Sequence, residues 1–255
     1  MIVLRSVLFW LLVALLTIPF GVALVLLTLL PLRARFFTVH LWRMGFMFLV
    51  RWVLGVKMVV KGRENIPPHP VLVLAKHQSA WETVALQEIF IPAVFVLKQE
   101  LLKIPFFGWG LAALRMIAID RNAGKEALRQ MLEQGKDRLE KGIWVVVFPE
   151  GTRVPPGQQV RYKPGAAYLA TKTGTPVLPV AHNAGEVWPK KALFIRPGTI
   201  TVSIGPAIET RGLKDAQVNA AVEAWIEGEM RQLSPHRYPL REAAAGAPVA
   251  DGVQA

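Results

Sequence analysis

VLVLAKHQSAWET (Val71–Thr83) indicates the fold, because an apolar run leads directly into a histidine and then into the beginning of a helix. The run Val71–Ala75 is typical of a buried strand. In α/β folds, ligands bind where a strand ends and the next helix begins. His77 lies at such a point, and Glu82 follows it by five residues. The stretch therefore predicts an α/β fold and a candidate reactive histidine.

Glu82 has two compatible explanations. With Ser79 it forms the Ser-x-x-Glu pattern of a capping box, in which each side chain bonds a backbone amide at the helix start. Alternatively, its carboxylate fixes the tautomer of His77 and stabilises the imidazolium, so that the histidine acts as a general base. A capped helix start would hold such a pair of side chains in a fixed geometry.

The rest of the chain repeats the alternation of strands and helices. This order predicts an α/β domain with a largely parallel or mixed sheet flanked by helices. Strands are predicted at 71–75, 94–98, 116–120, 143–148, 177–181 and 199–205. Helices are predicted at 80–90, 105–114, 123–141, 164–173 and 214–233.

The N-terminus is strongly hydrophobic. Ser6–Leu32 contains 27 residues without a charge, long enough as a helix to cross the ~30 Å core of a bilayer. A cleaved signal peptide is the competing explanation, but no cleavage motif follows the run. Pro19 and Gly21 leave a straight span, a kinked span and a hairpin within one leaflet open.

A second amphipathic stretch, residues 36–56, carries His40, Arg43 and Arg51 near one stripe. This pattern predicts a shallower interfacial helix with its basic side toward lipid headgroups. The net charge is +12, and the first 63 residues contain eight Lys/Arg and no acidic residue. The excess favours an anionic membrane surface and a cytoplasmic domain. No basic-aromatic motif indicates nucleic acid, the usual alternative.

Three further motifs lie outside the first stretch. FPEGTR (148–153) follows a hydrophobic strand and supplies a glycine turn, a hydroxyl and an arginine that suit a phosphate. LKQELLKIPFFGWG (97–110) is consistent either with a core helix or with an apolar loop that lines an acyl-chain groove. His182 is interpreted as a packing or hydrogen-bonding residue. Cysteines, the H-E-x-x-H pattern and the G-x-S-x-G nucleophile motif are absent from the sequence.

Taken in order, these motifs resemble those of the glycerolipid acyltransferases, most closely the bacterial 1-acyl-sn-glycerol-3-phosphate acyltransferases. The resemblance covers about residues 60–210. It implies that His77 deprotonates the 2-hydroxyl of lysophosphatidic acid, which then attacks the thioester of acyl-CoA or acyl-carrier protein. The family's usual partner of the histidine is aspartate, one methylene shorter than Glu82.

The resemblance also implies the remaining site residues and the setting. The catalytic pair is His77 and Glu82, and no metal or prosthetic group is expected. The expected substrate-binding residues are Lys98, Arg121, Glu150, Gly151, Thr152 and Arg153, with Arg153 the strongest candidate for the phosphate. Another lysolipid or glycerol 3-phosphate as acceptor, and a non-catalytic lipid-binding protein, are the alternative functions.

We expect membrane phospholipids as partners and the inner membrane as the location, with the catalytic domain on the cytoplasmic face. The predicted organisation is an anchor of membrane-attached helices at 1–60, an α/β domain at 61–238 and a disordered tail at 239–255.

Overall fold

The computed structural model describes residues 1–238, so the predicted tail at 239–255 lies outside the described residues. Two long helices come first and are followed by strands and shorter helices. The helices are α1 (Ile2–Leu26), α2 (Leu32–Trp52), α3 (Glu82–Ile89), α4 (Phe107–Ala113), α5 (Lys125–Glu140), α6 (Gly165–Thr173), α7 (Ala184–Val187) and α8 (Asp215–Leu233). The strands are β1 (Val56–Lys61), β2 (Leu72–Ala75), β3 (Ala93–Lys98), β4 (Ile117–Ile119), β5 (Trp144–Val147), β6 (Val177–His182) and β7 (Gly198–Ile204).

The seven strands form one sheet in the order β1-β7-β6-β2-β5-β3-β4. Strands β2 to β6 run in one direction, β7 is antiparallel to β6, and β1 is parallel to β7. The predicted α/β class with a mixed sheet is confirmed. Strands β2 to β6 therefore end at one edge, which we name the carboxyl edge, and β1 and β7 begin there.

Strand β1 was not predicted. Its residues include the end of the predicted interfacial helix (36–56) and the predicted domain boundary at residue 60. In the structure they pair with β7, from Val56 with Gly198 to Lys61 with Ser203. The partner strand lies some 140 residues further along the chain, so the local sequence around β1 does not indicate this pairing. The segment after α2 thus contributes an edge strand to the sheet.

Helix α1 is continuous through Pro19 and packs antiparallel to α2, after a 3-10 turn at Leu27–Leu29. One face of α1 touches the domain, through buried Ser6, Phe9, Gly21 and Leu24. The opposite face is exposed and apolar, at Leu4, Val7, Leu8, Leu11, Leu15, Ile18 and Val22. Among residues 1–238, α1 with the following turn is the one helix long and apolar enough to cross a membrane.

Helix α2 differs from the expectation of a basic stripe facing headgroups. Arg43 is 4% exposed and makes an ion pair with Glu88 of α3 at 2.5 Å, so this arginine faces the domain. A buried guanidinium needs a carboxylate partner, and α3 supplies it. The prediction was therefore wrong for Arg43, although the helix itself is present.

Candidate active site

The site is assembled at the carboxyl edge by two adjacent strands. Strand β2 leads into Lys76 and His77, and β5 leads into Phe148–Arg153; the strands pair directly, with Leu74 opposite Val147. Consequently the His77 ring stacks on Phe148, with ring centroids 3.9 Å apart and planes 10° apart. The Val154 amide donates to the His77 carbonyl at 2.8 Å. Motifs more than 70 residues apart in sequence thus meet.

His77 and Glu82 form a hydrogen-bonded pair. Nδ1 of His77 lies 2.9 Å from Oε1 of Glu82, and the same oxygen accepts the amides of Gln78 at 2.9 Å and Ser79 at 2.7 Å. The glutamate therefore holds the loop before α3 and the histidine at once. The predicted capping box is formed only in part, because α3 begins at Glu82 without a side-chain cap and the Ser79 hydroxyl accepts the Trp81 amide at 3.2 Å. Because a carboxylate only accepts, the proton of the neutral imidazole is on Nδ1, and Nε2 keeps its lone pair.

The Glu82 side chain is completely buried. Burial opposes its ionisation, but the hydrogen bonds from His77 and Ser79 lower the pKa of the carboxyl below its usual value. Glu82 is therefore ionised at neutral pH. The extra methylene of glutamate does not prevent the contact, because the helix begins at residue 82 and the carboxylate folds back over the preceding loop.

His182 is fully buried behind the site. Its Nε2 lies 2.7 Å from the Lys76 carbonyl, and its Nδ1 accepts the Ala184 amide at 3.3 Å. This pattern assigns the proton to Nε2 and uses both ring nitrogens, while burial lowers the pKa of the imidazole. His182 thus supports the backbone beside His77, in agreement with its interpretation as a hydrogen-bonding residue.

A cavity of about 470 Å³ begins at His77 and Phe148. Its mouth carries the predicted Lys98, Arg121, Gly151, Thr152 and Arg153. Gly151 has a φ of +70°, a left-handed conformation that favours glycine, and its carbonyl accepts a bond from the Arg121 guanidinium. Positive groups from three separate loops therefore line the same cavity as His77.

Lys190 joins this mouth, and the sequence interpretation missed it. Its Nζ donates to the Arg153 carbonyl at 3.1 Å and lies 3.5 Å from Oγ1 of Thr152. Lys190 belongs to the loop between α7 and β7, which reaches the site because β7 begins at the carboxyl edge. No local pattern distinguishes it from neighbouring Lys191.

The body of the cavity is apolar. Helices α1, α2 and α4 and the end of β3 surround it, with lining residues that include Phe20, Gly21, Leu24, Trp42, Leu97, Phe106, Phe107 and Leu111. A Cβ atom at Gly21 would lie 3.1 Å from the Phe106 carbonyl oxygen, so this glycine allows α1 to approach the start of α4. The predicted apolar loop at 97–110 is a 3-10 turn at Gln99–Lys103 followed by α4, and it lines the cavity.

Glu150 differs from the other predicted binding residues because its carboxylate does not line the cavity. It is 2% exposed, lies 3.3 Å from Nζ of Lys76, and accepts the His77 amide at 3.3 Å. Lys76 is also buried and pairs with Glu227 of α8 at 2.6 Å, while the Tyr162 hydroxyl donates to Glu227 at 2.9 Å. The position of Glu150 therefore favours an indirect role, in which it holds the two motif loops together.

Burial raises the pKa of Glu150 to about 7, and the attraction of Lys76 only partly offsets this. Between pH 4.5, its ordinary value, and pH 7, the folded chain holds this proton more tightly than the unfolded chain, so the free energy of unfolding falls as pH rises. At ~1.4 kcal/mol per pKa unit, the loss is on the order of 3 kcal/mol.

Glu150→Gln should remove this pH dependence, because the amide resembles the protonated carboxyl in shape. We expect the melting temperature of wild type, measured in neutral detergent, to fall relative to that of Glu150→Gln between pH 5 and pH 8. A constant difference over this range would contradict the burial-driven shift.

The comparisons with known proteins agree with this geometry. Residues 57–183 match the family model described as Acyltransferase. The chain is 47% identical over 236 residues to the 1-acyl-sn-glycerol-3-phosphate acyltransferase of Pseudomonas aeruginosa, covering 91% of this chain and 92% of that protein. The chain belongs to the 1-acyl-sn-glycerol-3-phosphate acyltransferase family.

Two further members show how far the family likeness extends. The yeast (Saccharomyces cerevisiae) 1-acyl-sn-glycerol-3-phosphate acyltransferase is 32% identical over 186 residues, which cover 70% of this chain and 60% of that protein. The crystal structure of the 1-acyl-sn-glycerophosphate acyltransferase from Thermotoga maritima has a TM-score of 0.72 and 26% identity, covering 91% of this chain and 95% of that chain.

Proposed function

We propose that this acyltransferase moves an acyl group from acyl-CoA or acyl-carrier protein to the 2-hydroxyl of 1-acyl-glycerol 3-phosphate, giving phosphatidic acid. One observation carries the proposal: His77, paired with ionised Glu82, lies where a single cavity passes from a cationic mouth to an apolar body. A lysophospholipid has the same two parts, a phosphate and an acyl chain, on either side of its free hydroxyl.

The chemistry begins with the free Nε2 of His77. This nitrogen takes the proton of the acceptor hydroxyl as the oxygen attacks the thioester carbonyl carbon. Glu82 stabilises the resulting imidazolium. When the tetrahedral intermediate collapses, the carbon–sulfur bond breaks, and the departing thiolate receives the proton from His77. The imidazole returns to its starting state, so no covalent acyl-enzyme is required.

The acceptor phosphate is assigned to the cationic mouth. Arg153 offers a guanidinium fork that matches phosphate oxygens, and Lys98, Arg121 and Lys190 add positive charge around it. Glu150, Gly151 and Thr152 shape this loop. The glycine turn brings the backbone close to the ligand, and Glu150 fixes the turn from behind through Lys76.

The apolar body of the cavity is assigned to an acyl chain. The exposed apolar face of α1 supports attachment to the inner membrane, with the domain on the cytoplasmic side, where the lysolipid arrives by lateral diffusion. A soluble thioester donor arrives from the water side, so neither acyl tail has to cross bulk water. The proposed chemistry requires no metal or prosthetic group.

Arg153→Ala should raise the Michaelis constant for the phosphorylated acceptor by about 10- to 100-fold, because a hydrogen bond to a charged group contributes about 1.5–3 kcal/mol. Initial rates in neutral detergent micelles at varied lysophosphatidic acid give this constant. Arg161→Ala is the matched control, since Arg161 is exposed and does not line the cavity. A change in donor affinity alone would place the phosphate elsewhere.

The function as a whole is tested by thiol release from palmitoyl-CoA and from palmitoyl-carrier protein, measured against a panel of acceptors. Lysophosphatidic acid should support turnover, and glycerol 3-phosphate or a lysolipid with another headgroup should support much less. Preference for another acceptor would replace the proposed substrate. Binding of lysophosphatidic acid without thiol release from either donor would support a non-catalytic lipid-binding protein instead.

A further inference from the structure

We propose that the loop at residues 188–197, between α7 and β7, inserts its tip, Leu193 and Phe194, into the surface of an anionic lipid bilayer. The inference rests on the membrane attachment in the proposed function and adds a lipid contact outside the N-terminal helices. The sequence interpretation gave this loop no role.

The tip is an exposed pair of large apolar side chains. Leu193 is 68% exposed and Phe194 is 52% exposed, and the loop has no regular secondary structure. Exposed Lys190 and Lys191 precede the pair, and exposed Arg196 follows it. Apolar side chains framed by positive charges suit the boundary of an anionic bilayer, where the tip meets the acyl region and the flanks meet phosphate groups.

The loop is held beside α1 by specific contacts. The indole nitrogen of Trp10 donates to the Leu193 carbonyl at 2.9 Å, and the Ile195 amide donates to the Ser6 hydroxyl at 2.9 Å. Trp188, at the base of the loop, packs edge-to-face on Phe9, with ring centroids 5.5 Å apart. The tip is therefore fixed next to the helix whose outer face is apolar.

A second group of exposed apolar side chains lies near the other end of α1. Residues 6–10 contact the loop, whereas Gly21 packs against Phe106 at the start of α4, where Phe106, Phe107 and Trp109 are 36–45% exposed. The cavity mouth contains Lys190 from the loop as well as Phe106 and Phe107. Apolar surfaces thus flank the opening through which a lipid acceptor would enter.

A bilayer fits this surface better than a second copy of the chain. A two-fold contact through the loop would bring two sets of Lys190, Lys191 and Arg196 close together, and like charges repel. An anionic bilayer instead complements these charges and the apolar tip together.

The test uses the absence of cysteine from the chain. Leu193→Cys is labelled with the fluorophore NBD in the full-length protein and reconstituted into vesicles of phosphatidylethanolamine and phosphatidylglycerol (3:1). Leu213→Cys is the matched control: this leucine is also exposed and lies between basic residues, Arg211 and Lys214. It follows the end of β7, at the sheet edge opposite the loop.

The label at residue 193 should show blue-shifted emission and should be quenched by a nitroxide on the lipid acyl chain, whereas the label at 213 should remain water-like. Replacing phosphatidylglycerol with phosphatidylcholine should reduce the shift at 193. Equal, water-like emission at the two positions would overturn the proposal, as would a blue shift already present in dilute neutral detergent that grows with protein concentration, the sign of self-association.

A second variant links the contact to substrate delivery. Leu193→Asp/Phe194→Asp should lower the rate at limiting vesicle-borne lysophosphatidic acid by about tenfold and leave the rate in neutral micelles within twofold of wild type. Equal rates in vesicles would overturn the delivery role. The label experiment does not depend on turnover, so failure of the proposed acyl transfer would be seen separately.

Discussion

His77→Ala should lower the rate of acyl transfer by about 10³-fold while the protein remains folded. General acid–base catalysis contributes about 10²–10⁴-fold, and among residues 1–238 no second imidazole at the cavity has free nitrogens to replace it, since both nitrogens of buried His182 are bonded. Stability should fall only slightly, because the ring is partly exposed and Glu82 keeps two amide donors. Thiol release from palmitoyl-CoA with saturating lysophosphatidic acid measures the loss.

Folding of the His77 variant is checked by its melting temperature and by its circular dichroism spectrum in the same detergent. A folded variant with turnover near that of wild type would remove His77 as the base. His69→Ala is a suitable control, since His69 lies in the loop before β2 and does not line the cavity.

Glu82→Gln should lower the turnover number by about 10²–10⁴-fold with a much smaller loss of stability. The amide oxygen of glutamine can still accept the amides of Gln78 and Ser79, so the helix start survives. What disappears is the negative charge that favours the imidazolium, and the amide group can also present a donor to Nδ1 and reverse the tautomer. Turnover and melting temperature, measured on one preparation, separate these effects.

Glu82→Asp serves as the comparison, because it retains the charge and shortens the side chain by one methylene. We expect it to keep more activity than Glu82→Gln. If glutamine instead left turnover unchanged, Glu82 would be only a cap of the helix, and another group would have to orient His77.

Several parts of the site were predictable because their signals are local. The apolar run before His77 specifies a buried strand, the next residues specify a helix start, and FPEGTR follows another buried strand in the same way. Parallel strands ending at one edge then bring the two motifs together without further information. The reach of Glu82 required the structure, since it depends on where α3 begins.

Other features depend on residues far apart in the sequence. The buried Lys76–Glu227 pair joins positions 151 residues apart, and a single sequence does not indicate such a pairing. Arg43 was assigned to headgroups because its partner Glu88 lies on another helix. Gly108 lies in the first turn of α4, where a Cβ would collide with the Leu102 carbonyl, so the glycine is what allows α4 to pack.

The pairing of Lys76 with Glu227 has a consequence for synthesis on the ribosome. Until α8 has left the exit tunnel, the ammonium beside His77 lacks its nearest counter-charge, and β7, the partner of β1, has emerged only shortly before. A nascent chain that already carries both motif loops can form the contacts of Glu150 and Val154 with His77, but not the pair between Lys76 and Glu227. We therefore expect chains released before α8, the last helix of residues 1–238, can dock to be less active, even though both motifs are present.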